Sequence, residues 1–256
     1  MVETYASGPF SAEQPTEAQR LRMLERFRDP DTFAILESLP VKESWRCLEI
    51  GAGTGSVTRW LADRCSHVVA ADLDVRHLEP AATVSVLETD ITAHSFPTAS
   101  FDLIHARAVM CHLPARDEVV ARALDWLAPG GWFVVEDIYT LPVGSSPYPA
   151  MNAYAKAAFE SATARGADMQ WGTRLPGIMA QLGYVDVHVE TKPRMIGLGG
   201  LADDLWRMNL RQAGPHLIAK GLFTPEALDE CLALIDDPAF VDVRYIGISV
   251  WARKAG

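Results

Sequence analysis

Long apolar runs are missing from this sequence. No stretch approaches 18 consecutive apolar residues, so no transmembrane helix is expected. The first residues, Met-Val-Glu-Thr-Tyr, carry neither a positively charged nor an apolar segment, so a secretory signal is not expected and a cytoplasmic protein is. Cysteine is scarce and unpatterned. Cys47, Cys65, Cys111 and Cys231 are scattered without a CxxC pair, which predicts reduced, buried thiols instead of a disulfide framework or zinc site. The seven histidines form no HxxH, HxxxH or HExxH array, and no acidic cluster resembles a magnesium site, so no metal is expected. Positive charge is in deficit as well. With 33 Asp+Glu against 23 Lys+Arg the net charge is −10, which lacks the basic footprint of a nucleic-acid binder and favours a small molecule as partner. Lysine supplies 5 of those basic residues and arginine 18, in an Ala-rich background associated with bacterial GC-rich coding.

What is present is the texture of a globular α/β protein. Hydrophobic residues make up 49% and charged residues 22% of 256, enough for one elaborated domain with a buried core. Apolar positions at helical spacing fill 16–39, with Asp29-Pro30-Asp31 expected to interrupt them as a turn. Short runs apolar on both faces follow at 46–50, 67–71, 84–87, 101–106 and 132–136, separated by amphipathic stretches, which predicts a parallel sheet covered on both sides. Pro129-Gly130-Gly131 is expected to stop a helix ending at Leu127 and start the strand at Trp132. Helices are predicted over 149–165 and 175–182, and strands over 185–190 and 243–251. Between those two strands lies a helical segment, 191–240, in which Thr224-Pro225 reads as an N-cap followed by proline at the first helical position. We therefore divide the chain into an N-terminal arm and helices over 1–40 and a main domain over 41–256 that carries the 191–240 insertion.

The chemistry is concentrated in Glu49-Ile50-Gly51-Ala52-Gly53-Thr54-Gly55-Ser56. A buried strand runs into three glycines at alternate positions and then a helix. Such glycines let backbone approach a ligand closely, and the helix N-terminus offers N–H groups to an anion. A phosphate-binding Walker loop would need Gly-Lys-Ser/Thr, and no lysine is there. The dinucleotide Gly-x-Gly-x-x-Gly spacing fails too, because its last position is Ser56 or Thr58 depending on register.

Glu-x-Gly-x-Gly-x-Gly instead resembles motif I of the class I S-adenosylmethionine (SAM) dependent methyltransferases. Four further signals follow in that family's order. Asp72 ends the second strand, 21 residues after Gly51, where a carboxylate suits two ribose hydroxyls; Leu73 stands beside it. Asp90-Ile91 matches the family's adenine site. Phe101-Asp102-Leu103 through His112-Leu113 resembles its "FDL…HL" segment, and Leu127…Pro129-Gly130-Gly131 its "L-x-PGG" turn. A shorter match at Tyr5…Gly8 is similar to an arm in bacterial small-molecule, natural-product type methyltransferases.

The resemblance implies a Rossmann-like seven-stranded sheet of order 3-2-1-4-5-7-6 with the last strand antiparallel, and SAM as cofactor with S-adenosylhomocysteine as product. It implies that Glu49, Gly51, Gly53 and Gly55 hold the cofactor's amino-acid end, Asp72 with Leu73 the ribose, and Asp90 with Ile91 the adenine. Arg107 is placed with them after the fourth strand. Tyr139 and His112 are the candidate catalytic residues, and Tyr5, Trp171 and Trp206 are candidates for contacting a small apolar acceptor. The insertion is expected to cap the acceptor site, hinged at Gly197, Gly199 and Gly200, or else to serve as a homodimer surface. Two alternatives remain open at the level of sequence: a cyclase using the same fold and cofactor, and a non-catalytic module that senses SAM.

Overall fold

The computed structural model describes residues 8–256. Seven strands form one sheet of order β3-β2-β1-β4-β5-β7-β6. In chain order they are β1 (Arg46–Ile50), β2 (His67–Asp72), β3 (Val84–Glu88), β4 (Phe101–Arg107), β5 (Leu127–Thr140), β6 (Val185–Ile196) and β7 (Asp242–Arg253). The first five are mutually parallel where they pair, while β7 runs antiparallel to both β5 and β6. The expected order and the antiparallel last strand are both present. Helices are α1 (Glu17–Ser38), α2 (Ser56–Ala62), α3 (Arg116–Trp126), α4 (Pro149–Ala164), α5 (Leu175–Leu182), α6 (Leu201–Ala219) and α7 (Pro225–Asp236).

Strand alternation sorts the core. Leu48, Ile50, Ile104, Phe133 and Val135 point to one face, where they meet Val119, Val120 and Trp126 of α3 and Met179 of α5. Cys47, Leu103 and Val134 point to the other, where Ile35 and Leu36 of α1 and Trp60 and Leu61 of α2 cover them. A third apolar cluster, built from α4, α6 and α7 around Met151, Leu210, Cys231 and Phe240, sits beyond the strand ends. All four cysteines are buried and unbridged. Because the strand order reverses between β1 and β4, the two chains leave the sheet in opposite directions there and open a crevice at its C-terminal edge.

Three local expectations need correction. First, α1 continues unbroken through Pro30. An interior proline costs roughly 3 kcal/mol, but its flanking acids are tied down. Asp29 accepts from Ser56 Oγ at 2.9 Å and pairs with Arg107 at 2.9 Å, and Asp31 pairs with Lys192 at 2.6 Å and with Arg194. Hydrogen bonds to charged groups contribute about 1.5–3 kcal/mol each when buried, less at the exposed Lys192, so together they outweigh the proline. Second, β5 begins at Leu127, which pairs with Phe101. The Pro129-Gly130-Gly131 segment is a register shift inside the strand, closed by Gly130 N–H donating to Lys254 and Lys254 N–H to Gly131. Third, β6 extends to Ile196, so the helical segment starts later than 191. Its Pro193 is tolerated because β6 is an edge strand. The glycines at 197–200 form a turn tied to α6: the buried Asp203 carboxylate accepts from Gly197 N and Gly199 N, both at 2.8 Å.

Candidate active site

The crevice between β1 and β4 deepens into a cavity of about 510 Å³ that reaches from the glycine loop to α4 and α6. One wall is made by the ends of β1, β2, β3 and β4. Gly51 and Gly53 line it, followed by Asp72, Leu73, Asp90, Ile91 and Arg107. Gly51 has φ +70 and Gly53 φ +60, a region that L side chains rarely adopt. Their surroundings differ. A Cβ on Gly51 would lie 2.1 Å from Val109 Cγ2, so that glycine permits packing against the chain leaving β4. A Cβ on Gly53 would meet nothing within 4 Å, so that glycine keeps open space on the cavity wall.

Asp72 organises the same wall. Its Oδ2 accepts from Gly53 N–H at 2.8 Å and its Oδ1 from Asp74 N–H at 3.2 Å. Burial raises its pKa above the usual carboxylate range, and the N–H groups of Gly53, Asp74 and Leu73 offset part of that rise. Leu73 is 46% exposed, and Ile91 is buried beside Asp90, whose Oδ1 accepts from Thr92 N–H and Oγ1. Open backbone at Gly53, a carboxylate at the end of the second strand and apolar surface after the second and third strands fit an adenosyl cofactor with an amino-acid tail.

Four sequence candidates fall elsewhere. Glu49 has the same strand parity as Cys47, so its carboxylate turns to the α1–α2 face and accepts from Thr58 Oγ1. There it belongs to a buried polar stripe across the strands: His105 Nε2 lies 3.2 Å from Glu136 Oε1, while Arg28 of α1 stands 3.6 Å from Glu136 and beside Tyr245. Burial pushes Glu49 up to about 8. Burial would also raise Glu136, but His105, Arg28 and Arg107 together hold it down at about 2. Tyr139 is a correction. Its neighbours Ile138 and Thr140 line the cavity, and alternation therefore turns Tyr139 to the opposite face, against the α3–α5 core. Trp171 is a second correction. It is fully buried in that core, with Nε1–H donating to Asp117 Oδ1 at 2.7 Å. Gly55 caps α2 and does not reach the cavity.

His112 and Trp206 do line the cavity. Burial, then the charges of Arg165, Arg20 and Arg116, push the His112 imidazole down to about 4, so it is neutral at neutral pH. The Trp206 ring packs edge-on against Tyr154 and under the Arg244 guanidinium at 5.0 Å. Tyr5 lies outside the described residues.

Several wall residues were not anticipated. From α4 come Tyr154, Ala155, Ala158, Ala162 and Arg165, and from α6 Asn209 and Ala213. The small-residue spacing 155, 158, 162 marks one helix face and was the available signal. Residues 8–13 form the roof. Gln212 of α6 donates to Pro9 O and Glu17 and accepts from Thr16 Oγ1, while Arg76, after β2, donates to Ala12 O and pairs with Glu13. The arm thus bridges the glycine-loop side to the helical segment. One N–H at the N-terminus of α2 is taken up by the protein itself, since Glu25 accepts from Ser56 N–H at 3.1 Å. Nothing in sequence signals a partner 31 residues away. Among the described residues no group of three His, Cys, Asp or Glu is arranged to hold a metal, and no helix is long and apolar enough to cross a membrane.

Comparison with known proteins agrees with this geometry. Residues 48–135 match the family model described as a methyltransferase domain, the stretch that carries β1 to β5 and the glycine loop. Methyltransferase str2 from Strobilurus tenacellus is 34% identical over 158 residues, covering 56% of this chain and 55% of that protein. The chain therefore spans about half of that relative's length. A methyltransferase-like structure from Bacillus halodurans superposes with a TM-score of 0.61 at 18% identity, covering 89% of this chain and all of the other. The phosphoethanolamine N-methyltransferase 2 of Haemonchus contortus, in complex with phosphomonomethylethanolamine and S-adenosylhomocysteine, superposes with a TM-score of 0.57 at 21% identity over 98% of this chain and 54% of its own. Motif, sheet order and matched domain coincide on the same residues, and the stretch 48–135 is similar to the methyltransferase domain.

Proposed function

We propose that this protein transfers the methyl group of SAM to an oxygen, nitrogen or carbon nucleophile of a small-molecule acceptor, leaving S-adenosylhomocysteine. The observation that carries the reading is that one cavity joins two unlike walls. Gly53, Asp72 and Asp90 form a polar wall suited to a nucleoside, and α4 and α6 supply an apolar wall with room for a second molecule. The bound cofactor supplies an electrophilic methyl group on a sulfonium. Everything else is asked of this chain's residues.

Asp72 holds the glycine loop in shape through Gly53 N–H and presents its remaining acceptor capacity to vicinal hydroxyls. Ile91 and Leu73 offer apolar surface to a flat base. Ala155, Ala158, Ala162 and Trp206 orient an acceptor, and the roof over 8–13 excludes water. Alignment of this kind supplies about 7–11 kcal/mol of barrier reduction, which suits an in-line displacement that needs little covalent help. His112 accepts a hydrogen bond from the acceptor. A conjugate acid near 4 makes it a weak base, so its role is to orient the nucleophile more than to remove its proton.

The test is calorimetry with S-adenosylhomocysteine, followed by incubation with methyl-labelled SAM and an acceptor library. Binding with label transfer to a small molecule is the expected result. No binding would refute the cofactor, and product formation without label would point to the cyclase alternative.

A further inference from the structure

Two uncharged hydrogen-bonding groups on the helical side of the cavity find no partner among the described residues. On α6, Leu205, Asn209, Ala213 and Leu217 line the cavity in one row, each four residues from the next. Asn209 is the polar member of that row, and its Oδ1 is closed off from solvent without a hydrogen-bond donor. From α4, Tyr154 lines the same cavity and is 5% exposed. Its ring stands edge-on to Trp206 at 5.9 Å and to Phe223 at 5.8 Å, which fixes where the phenol points. The hydroxyl makes no hydrogen bond among the described residues. Burial pushes its pKa up to about 12, so it keeps its proton and remains a donor. Asn209 stands one helical turn along from Trp206, the ring on which Tyr154 packs, so the two groups face the same part of the cavity. Neither adds to the fold through a hydrogen bond. A buried polar group left unpaired costs stability, and leucine at 209 or phenylalanine at 154 would suit the neighbouring Leu205, Ala213 and Ala158 without that cost.

We infer that the methyl acceptor is an apolar molecule carrying an alcohol or phenol hydroxyl, which accepts from Tyr154 O–H and donates to Asn209 Oδ1 while the rest of the molecule lies against the alanines of α4. The inference rests on the proposed methyl transfer and adds the acceptor's class to it. The two needs are complementary, because Asn209 Oδ1 lacks a donor and Tyr154 O–H lacks an acceptor. One hydroxyl meets both, having an O–H and two lone pairs. A ketone or ether only accepts and leaves Oδ1 unpaired, whereas an ammonium only donates and leaves the phenol unpaired. The last side-chain torsion of asparagine is broad, so rotation about Cβ–Cγ turns Oδ1 toward the bound hydroxyl.

The test uses the full chain loaded with S-adenosylhomocysteine and two pairs of probes with matched skeletons: cyclohexanol with cyclohexanone, and 1-phenylethanol with acetophenone. Calorimetry should show each alcohol binding at least about tenfold tighter than its ketone, because the ketone leaves a buried group unpaired. Asn209→Leu should bring the alcohols down to the affinity of the ketones and leave the ketones unchanged. Tyr154→Phe should weaken both members of each pair, since both accept from the phenol. A merely structural role for Asn209 would not move the ratio of alcohol to ketone affinity. Alcohols that bind no tighter than their ketones, including no binding of either, overturn the inference while the proposed transfer stands. So does an alcohol preference that survives Asn209→Leu. Failure of S-adenosylhomocysteine to bind the wild-type protein overturns the transfer reading, and the acceptor class falls with it.

Discussion

Two glycines on one turn should fail in different ways when each is replaced by alanine. Both have positive φ, +70 at Gly51 and +60 at Gly53, so either substitution costs about 1–2 kcal/mol of backbone strain. At Gly51 the new Cβ would lie 2.1 Å from Val109 Cγ2 and 3.2 Å from its Cβ. A β-branched valine has little rotamer freedom with which to withdraw, and overpacking of this kind costs typically a further 1–3 kcal/mol. Gly51→Ala should therefore lose about 2–5 kcal/mol in urea unfolding. At Gly53 the Cβ meets no protein atom within 4 Å. Gly53→Ala should lose only the strain energy, yet it places a methyl group on the cavity wall where the cofactor is proposed to lie. Its affinity for S-adenosylhomocysteine should fall by at least about tenfold, or 1.4 kcal/mol. Urea midpoints and calorimetry on the same two variants separate the effects. Equal stability of the two variants would refute the steric argument at Val109. Unchanged affinity in Gly53→Ala would refute the placement of the cofactor against this turn.

Other consequences can be measured separately. Asp72→Ala should weaken S-adenosylhomocysteine binding severely by calorimetry, since it removes both the proposed ribose partner and the acceptor of Gly53 N–H; intact affinity would discard that assignment. Glu49→Gln should stabilise the protein increasingly with pH. Below about 4.5 the carboxyl is protonated folded and unfolded alike, but between about 4.5 and 8 only the unfolded chain ionises freely, and stability drains away. Glutamine fixes the neutral form, so urea titrations at pH 5 to 8 should show a gain of at most about 1.4 kcal/mol per pH unit; a flat difference would mean that Glu49 is ionised throughout. Trp171→Phe should cost about 1 kcal/mol through the lost hydrogen bond to Asp117 while leaving S-adenosylhomocysteine affinity unchanged; a loss of affinity would return this residue to the site.

The scaffold was legible because its signals are local. Alternating glycines after a buried strand, an acid 21 residues on and doubly apolar strands each follow from neighbours within a few residues, and the sheet order follows from the family that they resemble. The Thr224-Pro225 start of α7 was equally readable, and Thr224 Oγ1 accepts from Ala227 N–H at 3.2 Å. Strand parity settled what spacing could not. Glu49 and Tyr139 are polar residues at strand ends, but which face each takes depends on the register with β4 and β7. Pro30 reads as a break because the residues that hold the helix through it, Arg107, Lys192 and Arg194, lie 78 to 163 positions downstream of the aspartates they meet. Arg165 carries no local mark at all. It reaches the cavity wall only because α4 ends there, beside His112.

The clamp on α1 has a consequence for the order of events in folding. Asp31 depends on Lys192 and Arg194, separated from it by 161 and 163 residues, and Thr16 meets Gln212 across 196. Contacts of such long range are slow to form, because the loop that they close must first surrender its entropy. Strands β1 to β5 can pair while α1 still waits for β6 and α6. We therefore expect refolding to show sheet formation first and closure of the cavity roof last, with ligand-binding competence lagging behind the recovery of secondary structure.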